Sequence, residues 1–296
     1  MDATLSREPR RRMIVLPDGE MSALDFGDAS RPVDVVFVHA NGFNAMTYRG
    51  ALQPLGAGLR ILAVDQRGHG ESRLPADPAT HRDWDVFGRD LCALLDTLDG
   101  PPVVLSGHSM GGTASILAAA ACGARVRGLV LFDPVLLPPQ FHLAARLPLI
   151  GGQMMRRNPL AQRARARRRV FSGRPEAMAS YKGRGAFKKW PDATLADYVA
   201  GGFHDIPAGG VELACAPEWE AANYAAQGHD PYRALKRVTV PVRILKAEHG
   251  STCRLEPRRT GQTNVSVKIV PGASHFLPME RPDVVRAQLL DAAEAD

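Results

Sequence analysis

The 296-residue sequence has few cysteines and no long apolar run. Its four cysteines are scattered without a C-x-x-C pair, which excludes a disulfide framework or a cysteine-rich metal site, so we expect reduced, mostly buried thiols. No apolar stretch approaches the roughly 18 residues of a membrane-spanning helix, and the first residues lack the apolar core of a signal peptide. We therefore expect a cytoplasmic protein without a transmembrane segment.

The sequence also lacks the patterns that bind metals and nucleotides. Neither H-x-x-x-H nor H-E-x-x-H spacing occurs, and no G-x-G-x-x-G follows a predicted strand, so we expect no metal and no cofactor. The net charge of +6 could suggest nucleic acid, but thirteen Lys or Arg residues and a single acid lie between Arg146 and Lys189. Because the positive charge belongs to one segment, we expect no nucleic-acid partner.

What the sequence does contain is an alternation of short apolar runs and longer helical patterns. With 45% apolar and 23% charged residues it can build a large core. Continuous apolar runs are typical of strands buried on both faces, and two further strands around Asp18-Gly19 predict a hairpin. The pattern predicts an α/β fold with a doubly wound, mostly parallel eight-stranded sheet. The six buried strands are predicted at 33–40, 60–65, 102–108, 127–133, 240–247 and 265–270.

The alternation is interrupted once, which predicts the domain organisation. Residues 138–237 are rich in arginine, glycine and aromatics without a clear buried strand, and they are predicted to form a helical cap (lid) over the carboxyl ends of the strands. The core then comprises 13–137 and 238–296, with helices at 84–98, 111–123 and from 281 onward. Residues 1–12 are predicted to be a flexible basic tail.

The stretch Gly107-His108-Ser109-Met110-Gly111 has the pattern G-x-S-x-G directly after a predicted strand and before a predicted helix. In that context the serine occupies a strained strand-to-helix turn, and the glycines allow close approach of the backbone. We therefore predict that Ser109 is a nucleophile; the alternative is a plain turn serine.

A serine hydroxyl is a weak nucleophile at neutral pH, so a histidine must accept its proton. His275 follows the last predicted strand, where a loop can present it to Ser109, and it is the predicted base. A solvent-exposed role suits the other candidates better, namely His81, His142, His204 and His229.

The segments FVHANGF, VDQRGHGES, LSGHSMGG and GASHFLPME together resemble the α/β-hydrolase superfamily, and the resemblance covers residues 13–296 except the cap. It implies the chain order nucleophile, acid, histidine. It further implies an oxyanion hole formed by the backbone N–H groups of Met110 and Asn41, although Ala40 stands where glycine is usual. We assign no chemistry to His39 or His69, which are expected to be structural.

The sequence offers more than one candidate for the acid that orients His275. Most relatives of this kind carry an aspartate after the strand at 240–247, but here that segment reads AEHGST. Asp133, at the end of the preceding strand, is the leading candidate, as in lipases and dehalogenases that this arrangement resembles. Glu248 is the alternative acid. Two further alternatives stay open: Asp133 belongs only to a structural Asp-Pro turn, or His275 has no carboxylate partner.

The predicted cap allows two interpretations of its arginines and two of its aromatics. Arg163, Arg165 and Arg167 to Arg169 either surround a solvated helix or form a cationic rim for an anionic substrate, an acyl-CoA or a membrane surface. The aromatic rings either line a substrate pocket or form a core of the cap itself; they are Phe187, Trp190, Phe203, Trp219 and Tyr224.

The combined prediction is a serine hydrolase that cleaves a carboxylic ester, lactone or thioester through an acyl-enzyme intermediate. Its partner would be a small, hydrophobic acyl substrate, and a homodimer stays open. Two alternatives also stay open: a carbon–carbon bond hydrolase acting on a diketone, and a hydrolase-fold receptor with slow turnover.

Overall fold

A computed structural model of the protein describes residues 8–147, 157–256 and 262–295. Two sheets are present in these ranges, a large one and a small one. The strands of the large sheet are β1 (Arg10–Leu16), β2 (Gly19–Phe26), β3 (Val35–Val38), β4 (Ile61–Val64), β5 (Val103–His108), β6 (Val126–Phe132), β10 (Val242–His249) and β11 (Val265–Ser274). Those of the small sheet are β7 (Val170–Phe171), β8 (Phe203–Asp205) and β9 (Val211–Leu213).

The large sheet has eight strands in the order β1-β2-β4-β3-β5-β6-β10-β11. All pairs from β4 to β11 are parallel, whereas the hairpin β1-β2 and its contact with β4 are antiparallel. The predicted fold class is therefore confirmed. Strands β3 to β5 are buried along their whole length, as strands covered by helices on both faces must be.

Helices pack on both faces of this sheet. Helices α2 (Asp85–Asp96), α3 (Met110–Ala121) and α9 (Pro231–Arg237) share one apolar cluster with it, and α1 (Arg49–Leu52) and α11 (Pro282–Glu294) share the other. Short 3₁₀ turns also occur, at Ala45–Tyr48, Gln53–Ala57, Gly123–Arg125 and Gly185–Phe187. The α-helices of the described ranges are α1 (Arg49–Leu52), α2 (Asp85–Asp96), α3 (Met110–Ala121), α4 (Pro139–Ala145), α5 (Pro159–Arg165), α6 (Arg174–Tyr181), α7 (Asp192–Gly201), α8 (Pro217–Ala225), α9 (Pro231–Arg237), α10 (Leu277–Glu280) and α11 (Pro282–Glu294).

The predicted tail at 1–12 is wrong at its carboxyl end, because β1 already begins at Arg10. Arg11 bonds the buried Asp65 at 2.9 Å and Arg12 bonds the buried Asp25 at 3.1 Å, so these cations are held on the sheet edge. Residues 1–7 of the predicted tail lie outside the described residues.

The segment 138–237, called the insertion below, is not purely helical as predicted. Besides helices α4 to α9 it contains the three-stranded antiparallel sheet β7-β9-β8. These strands have only two or three residues, too few to show an alternating apolar pattern in the sequence. Apart from the exposed Val170, their apolar side chains are nevertheless buried, with Phe171 and Phe203 in edge-to-face contact at 5.6 Å.

The prediction of four reduced cysteines is wrong for one pair. Cys92 in α2 and Cys122 after α3 form a disulfide, with Cα atoms 5.8 Å apart. Helices α2 and α3 pack side by side, so two cysteines that are distant in sequence become neighbours. Cys215 and Cys253 are free and buried, as expected.

The expectation of solvent exposure is also wrong for three histidines. His81, His142 and His229 are buried where the insertion meets the core, and the His229 ring stacks on Trp84 with centroids 4.6 Å apart. Only His204 of that group is partly exposed. Burial lowers the pKa of His229 well below its ordinary value, so the ring is neutral.

Candidate active site

Ser109 lies on a strained turn between β5 and α3. Its backbone φ is 54°, in the left-handed region that a side chain rarely adopts. Neighbouring glycines make the turn possible: a Cβ at Gly107 would lie 2.5 Å from the backbone of Gly111, and one at Gly111 would lie 2.3 Å from the Val38 carbonyl oxygen. The strand, turn and helix therefore present the Ser109 hydroxyl at the carboxyl end of the sheet.

Ser109, His275 and Asp133 lie in one hydrogen-bonded row. The Ser109 Oγ is 3.0 Å from His275 Nε2, and His275 Nδ1 is 2.6 Å from Asp133 Oδ2. With its proton on Nδ1, a neutral His275 donates to Asp133 and accepts from Ser109. The residues come from the ends of β5, β11 and β6, which are brought together by the parallel sheet.

Asp133 is fully buried and receives hydrogen bonds from the end of β10 and from the segment that follows it. Its Oδ1 accepts from the Ala247 N–H at 2.9 Å and the Ser251 hydroxyl at 2.6 Å, and its Oδ2 also accepts from the Thr252 N–H at 3.1 Å. Burial alone would raise the pKa of Asp133, but the bonds from His275, Ser251 and Ala247 outweigh it and hold the pKa below its ordinary value. Asp133 is therefore ionised at neutral pH.

Glu248, the alternative acid, lies away from His275. Its Oε2 accepts from the Gly272 N–H at 2.8 Å and lies 3.4 Å from His249 Nε2 on the exposed surface. The AEHGST segment thus contacts the row through Ser251 and Thr252, which donate to Asp133. Sequence reasoning missed these donors, although the hydroxyl-bearing pair stood where the usual aspartate was absent.

The two residues predicted to form the oxyanion hole line the same cavity as Ser109. Asn41 and Met110 both line it, and neither backbone N–H donates to another of the described residues. The Asn41 side chain is fixed from the insertion: it donates to the Glu220 carbonyl and accepts from the Asn223 amide, each at 2.9 Å. Asn41 is thus held between the core and α8.

Three fully buried histidines hold the loop that carries Asn41. His39 Nδ1 lies 2.7 Å from the Ala40 carbonyl oxygen, and His69 Nε2 accepts from the Gly42 N–H at 3.1 Å. Burial lowers the pKa of His39 to about 4 and those of His69 and His108 to about 3, so all three rings are neutral. The structural role expected for His39 and His69 agrees with these contacts.

The third histidine, His108, connects that loop to His275. The Ala40 N–H donates to the Tyr48 hydroxyl at 3.0 Å, the hydroxyl lies 2.8 Å from His108 Nδ1, and His108 Nε2 lies 2.7 Å from the His275 carbonyl oxygen. With Nε2 protonated, every bond in this chain has one donor and one acceptor. Tyr48 was missed by sequence reasoning because no local pattern marks it.

A cavity of about 500 Å³ opens at Ser109 and extends under the insertion. The serine side of the cavity is formed by Asn41, Ser109, Met110 and His275, and the insertion side by Arg163, Arg167, Arg184, Phe187 and Tyr224. Most of the remaining lining is apolar, including Phe43, Leu137, Leu160 and Phe276.

The predicted pocket aromatics divide between this cavity and other places. Phe187 and Tyr224 line the cavity, whereas Trp190 lies behind it, with its ring centroid 4.9 Å from that of Phe187. Trp219 points elsewhere: its Nε1 donates to the Arg67 carbonyl at 2.9 Å. Phe203 lies in the core of the small sheet.

Within the described ranges, no group of three His, Cys, Asp or Glu side chains is arranged to hold a metal ion. In the same part of the chain, no helix has both the length and the apolar character needed to cross a bilayer.

Residues 35–288 match the model of the alpha/beta hydrolase family, and the chain therefore belongs to that family. It is 25% identical over 266 residues to a 2-(acetamidomethylene)succinate hydrolase of Mesorhizobium japonicum, a match that covers 88% of each chain. It is 36% identical over 112 residues to the monoglyceride lipase of Homo sapiens, covering 36% of each chain.

Among solved structures, the chain is similar to that of an E-2-(acetamidomethylene)succinate hydrolase. The TM-score is 0.79 at 22% sequence identity, and the superposition covers 97% of this chain and 100% of the other. At this identity the likeness shows the fold. The two curated relatives named above are both hydrolases by name.

Proposed function

We propose that the chain is a serine hydrolase that cleaves a carboxylic ester, or a related lactone or thioester, through an acyl-enzyme intermediate. The observation that carries the proposal is the row of Ser109, His275 and the buried, ionised Asp133 at 3.0 Å and 2.6 Å. A hydroxyl on a strained turn, a neutral imidazole and a carboxylate in this order are what nucleophilic acyl transfer requires.

In the first half-reaction the Ser109 oxygen bonds to the ester carbonyl carbon while its proton moves to His275 Nε2. The backbone N–H groups of Asn41 and Met110 stabilise the negative oxygen of the tetrahedral intermediate. The intermediate then expels the alcohol, which takes the proton from His275.

In the second half-reaction water attacks the acyl group on Ser109 and gives its proton to His275. Collapse of the second intermediate releases the acid, and the proton returns to the Ser109 oxygen. Asp133 remains ionised throughout, because its role is to hold the Nδ1 proton of His275 and to stabilise the imidazolium.

The proposal is tested by hydrolysis of p-nitrophenyl esters of increasing acyl length, a thioester and a lactone, with wild type and Ser109→Ala. We expect wild-type turnover on at least one ester, and a fall in kcat of about 10³-fold or more in Ser109→Ala. A fluorophosphonate should add to Ser109 alone, as measured by mass spectrometry of peptides.

Turnover that survives Ser109→Ala contradicts the proposal. Labelling of Ser109 without turnover of any ester favours the slow receptor. Turnover of a diketone in preference to every ester favours carbon–carbon bond hydrolysis.

A further inference from the structure

Three arginines of the insertion line the cavity opposite Ser109. Arg163 lies on α5, Arg167 follows that helix, and Arg184 precedes the 3₁₀ turn Gly185–Phe187. Arg165, on the same helix as Arg163, is exposed and does not line the cavity. The two interpretations of this arginine-rich segment can therefore be separated by position, because only some of its side chains reach the cavity.

Arg167 is mostly buried and pairs with a carboxylate. Its NH1 bonds the Glu220 carboxylate, and its NH2 donates to the Tyr198 and Tyr181 hydroxyls at 2.6 Å and 3.1 Å. Glu220 is therefore neutralised by Arg167 and does not compensate other cations. The pair also abuts the serine side, because the Glu220 carbonyl accepts from the Asn41 side chain.

Arg163 and Arg184 have no carboxylate within ion-pair distance among the described residues. Glu220 is the sole acid among the described residues that line the cavity, since Asp133 is shielded behind His275. The insertion side of the lining therefore holds two exposed positive charges without a carboxylate partner among the described residues, next to a lining that is mostly apolar. A charge beside low-polarity walls attracts an anion more strongly than the same charge in open solvent.

We infer that the substrate carries a carboxylate at the end remote from the bond that is cleaved, and that Arg163 and Arg184 bind this carboxylate. The inference rests on the proposed function, because it places the scissile carbonyl at Ser109 and the anion across the cavity. Guanidinium groups match a carboxylate through paired N–H donors, whereas a plain acyl chain offers them no acceptor.

The inference is tested with two esters of equal acyl length, mono-p-nitrophenyl glutarate and p-nitrophenyl pentanoate, which differ in a terminal carboxylate. Wild type should hydrolyse the glutarate ester with the higher kcat/KM, chiefly through a lower KM. In the Arg163→Gln/Arg184→Gln double variant this preference should fall by about tenfold or more, because the charge-assisted hydrogen bonds to the substrate carboxylate are lost. Arg165→Gln removes one equal charge from α5 outside the cavity and should keep the wild-type preference.

Equal kcat/KM of wild type for the two esters overturns the inference and leaves the proposed function intact. An equal loss of preference in Arg165→Gln also overturns it. The arginines would then attract the anionic ester through the overall positive charge of the surface and not by binding it in the cavity.

A binding measurement separates the inference from the proposed function. Ser109→Ala should bind glutarate in calorimetry, and adding Arg163→Gln and Arg184→Gln should weaken that binding by about tenfold or more. If wild type hydrolyses no ester, thioester or lactone of the panel but this difference in binding is found, the proposed function fails and the carboxylate site stands. If glutarate binds equally to both proteins, or to neither, the carboxylate site is contradicted.

Discussion

The two sides of the cavity are built in different ways. On the serine side, the carboxylate of Asp133 and the rings of His39 and His108 all have hydrogen-bond partners, and each of the three groups has at least one backbone partner. On the insertion side, the lining comes from short helices and turns, and Arg163 and Arg184 are exposed without a carboxylate partner in the described ranges. Under the proposals above, the backbone of the serine side would position the chemistry and the side chains of the insertion would select the substrate.

The largest effect is expected at low pH, where protonation of buried histidines on the serine side should lower the free energy of unfolding. Because burial lowers the pKa values of His39, His69 and His108 below 6.5, the unfolded chain binds more protons than the folded chain at low pH. Their contribution to stability is therefore present above pH about 6.5 and is lost as the pH falls towards about 4. Urea unfolding should show a free energy of unfolding lower by several kcal/mol at pH about 4.5 than at pH about 7, at about 1.4 kcal/mol per pKa unit.

The control for the acid experiment is a histidine on the surface. His249 is exposed, so His249→Gln should leave the pH dependence of stability unchanged, whereas His69→Gln should reduce it. An unfolding free energy that is flat across this range would contradict the neutral state of the three buried rings.

A smaller effect, on steady-state kinetics, is expected when one tyrosine hydroxyl is removed from each side of the cavity. Tyr48→Phe leaves the Ala40 N–H and His108 Nδ1 without a partner, so kcat for p-nitrophenyl pentanoate should fall by about 5- to 100-fold with little change in KM. Tyr198→Phe removes a partner of Arg167 and should act mainly on KM. Steady-state kinetics of both variants tests this difference between the two sides of the cavity. If both substitutions changed kcat and KM in the same proportion, the difference would be contradicted.

The smallest effect is expected from an aromatic ring of the insertion side. Phe187→Leu keeps an apolar side chain but loses ring contacts with Trp190 and Tyr198, so KM should rise by about three- to tenfold. The rate of fluorophosphonate addition to Ser109 should change less than KM does. A larger loss in the labelling rate than in KM would show that this ring supports the chemistry.

The serine side was predictable from sequence to the extent that its signals are local. The pattern of Gly107, Ser109 and Gly111 indicates the turn within five residues. The apolar strands around the turn place Asp133 and His275 at the same edge of the sheet. The donors Ser251 and Thr252 could not be predicted, because they meet Asp133 across more than a hundred residues of chain. Their contact depends on how β10 and β6 pair.

The insertion was predicted less well, for a physical reason. Its strands are too short to show a period, and the burial of Arg167 depends on Glu220, which lies 53 residues away in sequence. The Cys92–Cys122 disulfide likewise arises from the packing of α2 on α3. Such features follow from tertiary contacts that no local pattern encodes.

The central claim is that Asp133 is the acid that orients His275 toward Ser109. The most direct test is the steady-state hydrolysis of p-nitrophenyl pentanoate by Asp133→Asn and Glu248→Gln beside wild type. We predict that Asp133→Asn lowers kcat by about 10⁴-fold, because the amide cannot hold the required tautomer, and that Glu248→Gln keeps kcat within about threefold of wild type. Full activity of Asp133→Asn together with an inactive Glu248→Gln would contradict the claim.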